Sequence, residues 1–271
     1  MEEKVNKQAI LQKYNKDEER ILVSKVLDKI EISNKKNKIV NTDFLNLYQR
    51  KIAQNVLDMT KQENYKFEGG FTEAERNVLI LYPEKLDFLK IRNNLNNIMK
   101  IIRINLPKEL YGKYNHKNYL GAIMKLGVKR EKIGDIIVGE DGADVIASVD
   151  IIRYIEQNIS NLTRFSKSKI EILDLENIRE AKQKEEQFEI IVSSLRLDNI
   201  ISEILKNSRS EANKIIFSER VFINFEKEIK NSRILKENDV ITIRGEGRYK
   251  FLEILGETKK KRLILKIIKK I

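Results

Sequence analysis

Apolar residues recur at helical spacing through the first part of the chain. Ile21, Leu22, Val26 and Ile30 form one stripe; Phe44, Leu45, Leu47, Tyr48, Ile52, Val56 and Leu57 form another. Asn41 or Thr42 is placed to cap the second helix. Gly69-Gly70 breaks the pattern, and without a following Lys-Ser/Thr it reads as a turn rather than a phosphate-binding loop. Thr72–Arg76 resumes as a helix start, which Tyr82-Pro83 ends. Residues 1–85 are therefore expected to form a helical domain.

From residue 86 the period changes. Phe88–Arg92 and Met99–Asn105 read as strands, His116–Leu126 as a helix with Leu120, Ile123 and Met124 inward, and Gly134–Val138 as a strand. Asp141-Gly142 is a hairpin signal leading to a strand over Ala143–Ser148. A helix over Asp150–Ile159 and an alternating strand over Lys169–Leu173 follow. The order ββ-α-ββ-α-β predicts a ferredoxin-like, RRM-like α-β plait over residues 86–175, an architecture common among RNA-binding modules. Glu176–Gln187 is charged and linker-like, and Glu189–Ser193 reads as a strand.

The last segment, residues 188–271, opens with two short helices. Leu197, Ile200, Ile201, Ile204 and Leu205 share a stripe; Ser208 and Glu211 have the form of a capping box; Ala212, Ile215 and Ile216 face inward in the second helix. Val221 and Ile223 alternate into a strand ending at Asn224. Ile241 and Ile243 share a face of another, which Gly245-Glu246-Gly247 closes. Phe251–Leu255 and Arg262–Ile268 predict a hairpin. The whole chain is expected to be α+β.

Charge sharpens this picture. The net charge is +12, and residues 195–271 hold 19 Lys and Arg against 11 Asp and Glu, so +8 of it sits in less than a third of the chain. A bias spread evenly by composition would not concentrate so; a polyanion partner is the physical expectation. Arg196, Lys206, Ser208, Arg209, Lys214, Asn224, Lys227, Arg244 and Arg248 fall outside the apolar stripes and are the candidate RNA contacts, with the start of the second helix offering free amides. Arg209, off the inward stripe, is expected to be exposed, so that reversing its charge would spare the fold. Lys129, Arg130 and Lys132 lie in a loop between helix and strand; they are placed either to reach a phosphate or to pair with Glu131 and Asp135.

Other chemistry is thin. The chain has no cysteine, which excludes disulfides, thiol catalysis and cysteine zinc sites. The sole histidine, His116, has no partner at catalytic spacing and reads as a helix-start or surface residue. No metal-ligand cluster or dinucleotide fingerprint occurs, so neither metal nor cofactor is expected and the chain does not read as an enzyme. The start MEEKVNKQAI lacks an apolar signal core and there is no run of 18 apolar residues, so a cytoplasmic protein without a membrane partner is expected.

Short motifs then carry a resemblance. RLD, the SR helix start, VFIN and DVITIRG occur in the order of the RNA-binding domain first defined in ribosomal small-subunit protein four, the S-four domain, over about Leu195–Leu255. Many members have Gly after the Asn of VFIN, where this chain has Phe225. LGAIMKLGVKREKIGDI, EGGFTEAERNVLILYPE, SSLRLDNIISEILKNSRSEA and RGEGR resemble the YlmH family of bacterial RNA-binding proteins, from about Gly69 to the C-terminus. That resemblance implies a non-enzymatic, monomeric binder of rRNA and tRNA on the large ribosomal subunit. It further implies a role in ribosome-associated quality control, where stalled nascent chains are extended with alanine tails. Two alternatives stand beside it. One is an interaction protein linked to cell division. The other is an RNA-modifying enzyme, for which neither a catalytic Asp setting nor a Gly-rich cofactor loop is found.

Overall fold

The computed structural model describes residues 7–84, 86, 91, 95–179 and 185–270. The fold is α+β and divides into two compact units, residues 1–181 and 182–271. No helix among the described residues is long and apolar enough to cross a membrane.

The first unit begins with helices α1 (Lys7–Leu11), α2 (Asp17–Lys36) and α3 (Leu47–Met59). Helix α2 starts on Asp17, Glu18 and Glu19 and ends on Lys35 and Lys36, charges that suit the helix dipole, and Asn37 closes it in the left-handed conformation. Its buried face is Leu22, Val23, Val26, Leu27 and Ile30. Helix α3 is capped by Asn46, not by the expected Asn41 or Thr42. Asn46 accepts from the Gln49 amide at 2.9 Å, and the Gln49 side chain returns to the Asn46 amide at 2.9 Å. Thr42 instead binds the sheet, its hydroxyl accepting from the Leu79 amide.

That sheet is a departure from the helical expectation. Strands β1 (Val40–Asn41), β2 (Tyr65–Glu68) and β3 (Val78–Leu81) pair antiparallel in the order β1-β3-β2. The segment read as a helix from Thr72 is a turn followed by β3. All four β3 residues are buried, because the central strand is covered on both faces. Leu79 and Leu81 join the core under α2 and α3, while Val78 and Ile80 join a second core with Met99, Ile101 and Ile146. A strand buried on both faces loses the alternation that identifies a half-buried one.

The plait follows. Strands β4 (Met99–Asn105), β5 (Ile133–Gly139), β6 (Gly142–Ser148) and β7 (Lys169–Leu173), with helices α4 (His116–Lys125) and α5 (Val149–Ile159), form an all-antiparallel sheet in the order β5-β6-β4-β7. This is the expected split βαβ arrangement. The strand expected over Phe88–Arg92 falls almost wholly outside the described residues. Helix α4 turns Tyr119, Ala122 and Ile123 inward, so Leu120 and Met124 flank the buried stripe rather than lead it. The helices cover one sheet face. Part of the other face is covered by Phe44, Val78, Ile80, Leu95 and Leu175.

The second unit holds β8 (Glu185–Val192), helices α6 (Leu197–Ile204) and α7 (Arg209–Phe217), and strands β9 (Val221–Ile223), β10 (Glu226–Lys227), β11 (Val240–Ile243), β12 (Gly247–Glu257) and β13 (Leu263–Lys270). Its six-stranded sheet runs β10-β9-β11-β12-β13-β8. The charged stretch expected to be a linker to Gln187 is strand from Glu185 onward, with Glu186 opposite Lys269 in the ladder. Opposite charges across a strand pair stabilise such an edge, so a polar sequence there does not preclude pairing. Ile200, Ile201, Ile204, Ala212 and Ile216 pack onto Val221, Ile223, Ile241, Phe251, Leu265 and Ile267.

Candidate nucleic-acid interface

The basic residues of the second unit are organised by one buried carboxylate. Asp198, in the first turn of α6, is 1% exposed. Its Oδ1 accepts from Arg196 Nε at 3.1 Å and from the Asn199 amide at 2.9 Å. Its Oδ2 accepts from Arg196 Nη2 at 3.0 Å and Arg209 Nη2 at 2.7 Å. Burial alone would raise the Asp198 pKa, but the bonds from Arg196 and Arg209 outweigh it and hold the carboxyl below its ordinary value. The two guanidinium groups are thereby fixed beside the start of α7, each with donors to spare.

Arg209 is thus exposed, as its place off the apolar stripe implied, with 54% of its side chain accessible, but it is not free. A carboxylate at position 209 would face Asp198, so charge reversal there costs stability as well as any anion contact. Ser208 caps α7 by accepting from the Glu211 amide at 3.2 Å. The return half of the expected box is replaced by a Glu211–Lys214 ion pair at 2.6 Å.

The other candidates are distributed around this clamp. Lys206 follows α6 with φ 50° and is exposed; among the described residues its ammonium has no partner. Lys227 pairs with Glu219 at 2.5 Å. Asn224 is structural in part: its Oδ1 accepts from the Val240 amide at 2.9 Å and its Nδ2 donates to Asp239 at 2.7 Å. Arg244 lies over the Phe222 ring and Arg248 over the Phe225 ring. Exposed ion pairs such as Lys214–Glu211 contribute little to stability.

In the first unit the basic loop has a different role. Arg130 Nη1 donates to the carbonyls of Ile133 at 2.6 Å and Gly134 at 3.2 Å, and burial lowers its pKa. Lys132 bridges Asp43 at 2.8 Å and Asp150 at 2.6 Å. Only Lys129 of the three has no side-chain partner among the described residues. Beside them stands Arg76, which the sequence pattern did not single out. It donates to the carbonyls of Ile133 at 2.8 Å, Phe44 at 3.0 Å and Arg130 at 3.3 Å, and its pKa is pushed down to about 10 by burial and then by Arg130. Asp135 accepts from the Glu75 amide at 2.6 Å. The AER and KREKIGDI stretches are therefore two halves of one latch between the three-stranded sheet and the plait.

Among the described residues no group of His, Cys, Asp or Glu is arranged to hold a metal ion.

Comparison with known proteins follows the same division. Residues 18–86 match the family described as "YlmH, N-terminal", residues 92–177 the "Putative RNA-binding domain in YlmH", and residues 195–241 the S-four domain. The chain is similar to "Ribosome-associated protein quality control protein P2" of Bacillus subtilis (strain 168), with 29% identity over 256 residues, 93% of this chain and 95% of that protein. Among solved structures, "Cell division protein ylmH from Streptococcus pneumoniae" is 18% identical; the match covers 61% of this chain and 98% of that one with a TM-score of 0.47.

Proposed function

This chain belongs to the YlmH family, and from that premise we propose that it is a non-catalytic RNA-binding protein of ribosome-associated quality control. It acts as a monomer, contacting rRNA and tRNA on the large ribosomal subunit while stalled chains are extended with alanine. The similarity over 95% of a protein named for that process supports the process. The observation that carries RNA binding is the Arg196–Asp198–Arg209 clamp: one buried carboxylate fixes two guanidinium groups at a helix start, in the segment that holds +8 of the net charge. Prefixed guanidinium forks suit phosphate oxygens, and the adjoining helix amides add to the attraction.

In this reading residues 188–271 form the RNA-binding domain, with Arg196, Lys206, Arg209, Lys214, Lys227, Arg244 and Arg248 as its contacts. Residues 1–85 and 86–175 are separate domains sharing the core around Phe44 and Ile146. That core occupies part of the sheet face on which other plaits stack bases, which favours the second unit as the principal RNA contact.

The test is sedimentation of the full chain with ribosomal subunits at low salt, followed by cross-linking. Migration with large subunits and cross-links to rRNA and tRNA are expected. No association with large subunits, or association that survives nuclease through proteins alone, would refute this reading; the latter would favour the division-linked alternative.

A further inference from the structure

The hairpin joining β9 and β10 contains an anomaly. Glu226 pairs with Ile223, leaving a loop of Asn224 and Phe225. Both residues have positive φ, 50° and 70°. Such a turn is ordinarily built with Asn followed by Gly, because a side chain at the second position is strained. Asn224 is held there by its bonds to Val240 and Asp239. Phe225 is a bulky residue kept where Gly would fit better, and persistent strain of this kind is a pointer to use.

Its ring has a definite neighbour. The Arg248 guanidinium carbon lies 5.2 Å from the Phe225 centroid, and that of Arg244 lies 4.5 Å from the Phe222 centroid. Phe222 is opposite Thr242, and Thr242 is opposite Arg248, so these residues share one face of the sheet. Their neighbours Val221, Ile223, Ile241, Ile243 and Tyr249 point the other way, into the core under α6 and α7. Arg244 is anchored through its backbone, its amide donating to the Arg220 carbonyl and its carbonyl accepting from the Arg220 guanidinium. Its side chain is left exposed over the ring.

We propose that this outer sheet face, with its ring–guanidinium pairs Phe222–Arg244 and Phe225–Arg248, is a stacking platform for unpaired RNA bases. It rests on the RNA-binding reading above and adds the class of RNA. Aromatic rings and guanidinium planes both stack bases that have left a duplex, whereas a paired helix offers such a platform only its backbone. The clamp at Asp198 then serves phosphates from the helix side, while this face serves bases.

The experiment uses the full chain and a short oligoribonucleotide carrying 2-aminopurine, single-stranded or annealed to its complement. The parent protein is expected to change the 2-aminopurine fluorescence of the single strand. Phe225→Gly is expected to melt at or above the parent, because turn strain is relieved, yet to bind the single strand about 5- to 150-fold more weakly with duplex affinity unchanged. Arg244→Lys keeps the charge and removes the plane; it should weaken single-strand binding without lowering the salt dependence. Earlier melting of Phe225→Gly, equal losses on both RNAs, or no loss on either would overturn the platform while leaving RNA binding in place. Failure of the parent to bind either RNA would overturn both.

Discussion

Replacing Asp198 by Asn tests the clamp at its centre. The carboxylate accepts two bonds from Arg196 and one from Arg209, at 2.7 to 3.1 Å, while 1% exposed. An amide of the same shape keeps one oxygen but turns N–H groups toward a guanidinium and removes the charge that both arginines share. Hydrogen bonds to charged groups contribute about 1.5–3 kcal/mol each. Arg209 is half exposed and regains water when released, so the net loss is placed at about 2–3 kcal/mol. In hydrogen exchange followed by mass spectrometry, opening of α6, α7 and β9 should become about 30- to 150-fold more frequent, while peptides of the first unit are unchanged. The effect carries a pH signature. Because the folded carboxyl titrates below its unfolded value of about 3.9, its contribution is complete above that value and is lost as pH falls through the folded pKa. The gap between parent and variant should therefore close as pH drops below about 4. Combining Asp198→Asn with Arg209→Ala should cost less than the sum of the two, since they break the same bond. Protection within threefold of the parent, or a gap independent of pH, would show that the carboxylate does not hold this region together.

Further outcomes concern both units. Arg76→Met, which strands the Phe44 carbonyl and leaves that of Ile133 with Arg130 alone, should destabilise the first unit by about 1.5–3 kcal/mol in urea titration and leave RNA affinity unchanged. Gly134→Ala places a methyl 2.8 Å from the Phe44 ring and should cost about 1–3 kcal/mol, partly restored by Phe44→Leu, as read from melting curves. Ser208→Ala should lower stability by about 0.5–2 kcal/mol through loss of the cap on α7, with a smaller direct effect on RNA titrations. RNA affinity should fall with salt by about 0.7 to 0.9 log units per log unit of salt for each phosphate contacted, and Lys206→Gln should reduce that slope by one contact.

How much of this was legible before folding depends on where each face of an element ends up. Stripes with one wet side announced themselves: Leu22, Val26 and Ile30 in α2, Ile200, Ile201 and Ile204 in α6, and the alternation of β7. The hairpin at Asp141-Gly142 and the cap at Ser208 were equally plain, because a turn or a helix start is decided by residues a few positions apart. The charge in residues 195–271 is a property of composition alone. Strand β3 carries no strand period in the sequence because Val78 and Ile80 meet one core while Leu79 and Leu81 meet another. No solvent-facing residue remained to mark its period.

The same limit governs the arginines. A basic residue off an apolar stripe is known to avoid the core, but its partner lies elsewhere along the chain. Arg209 meets Asp198 eleven positions away, and Arg76 meets Ile133 fifty-seven away. Linear order therefore determines the elements with one wet face, the basic segment and the family motifs. Only packing decided which cations are struts and which remain available to an anion, because a guanidinium's role is set by the acceptors that folding brings within about 3 Å of it.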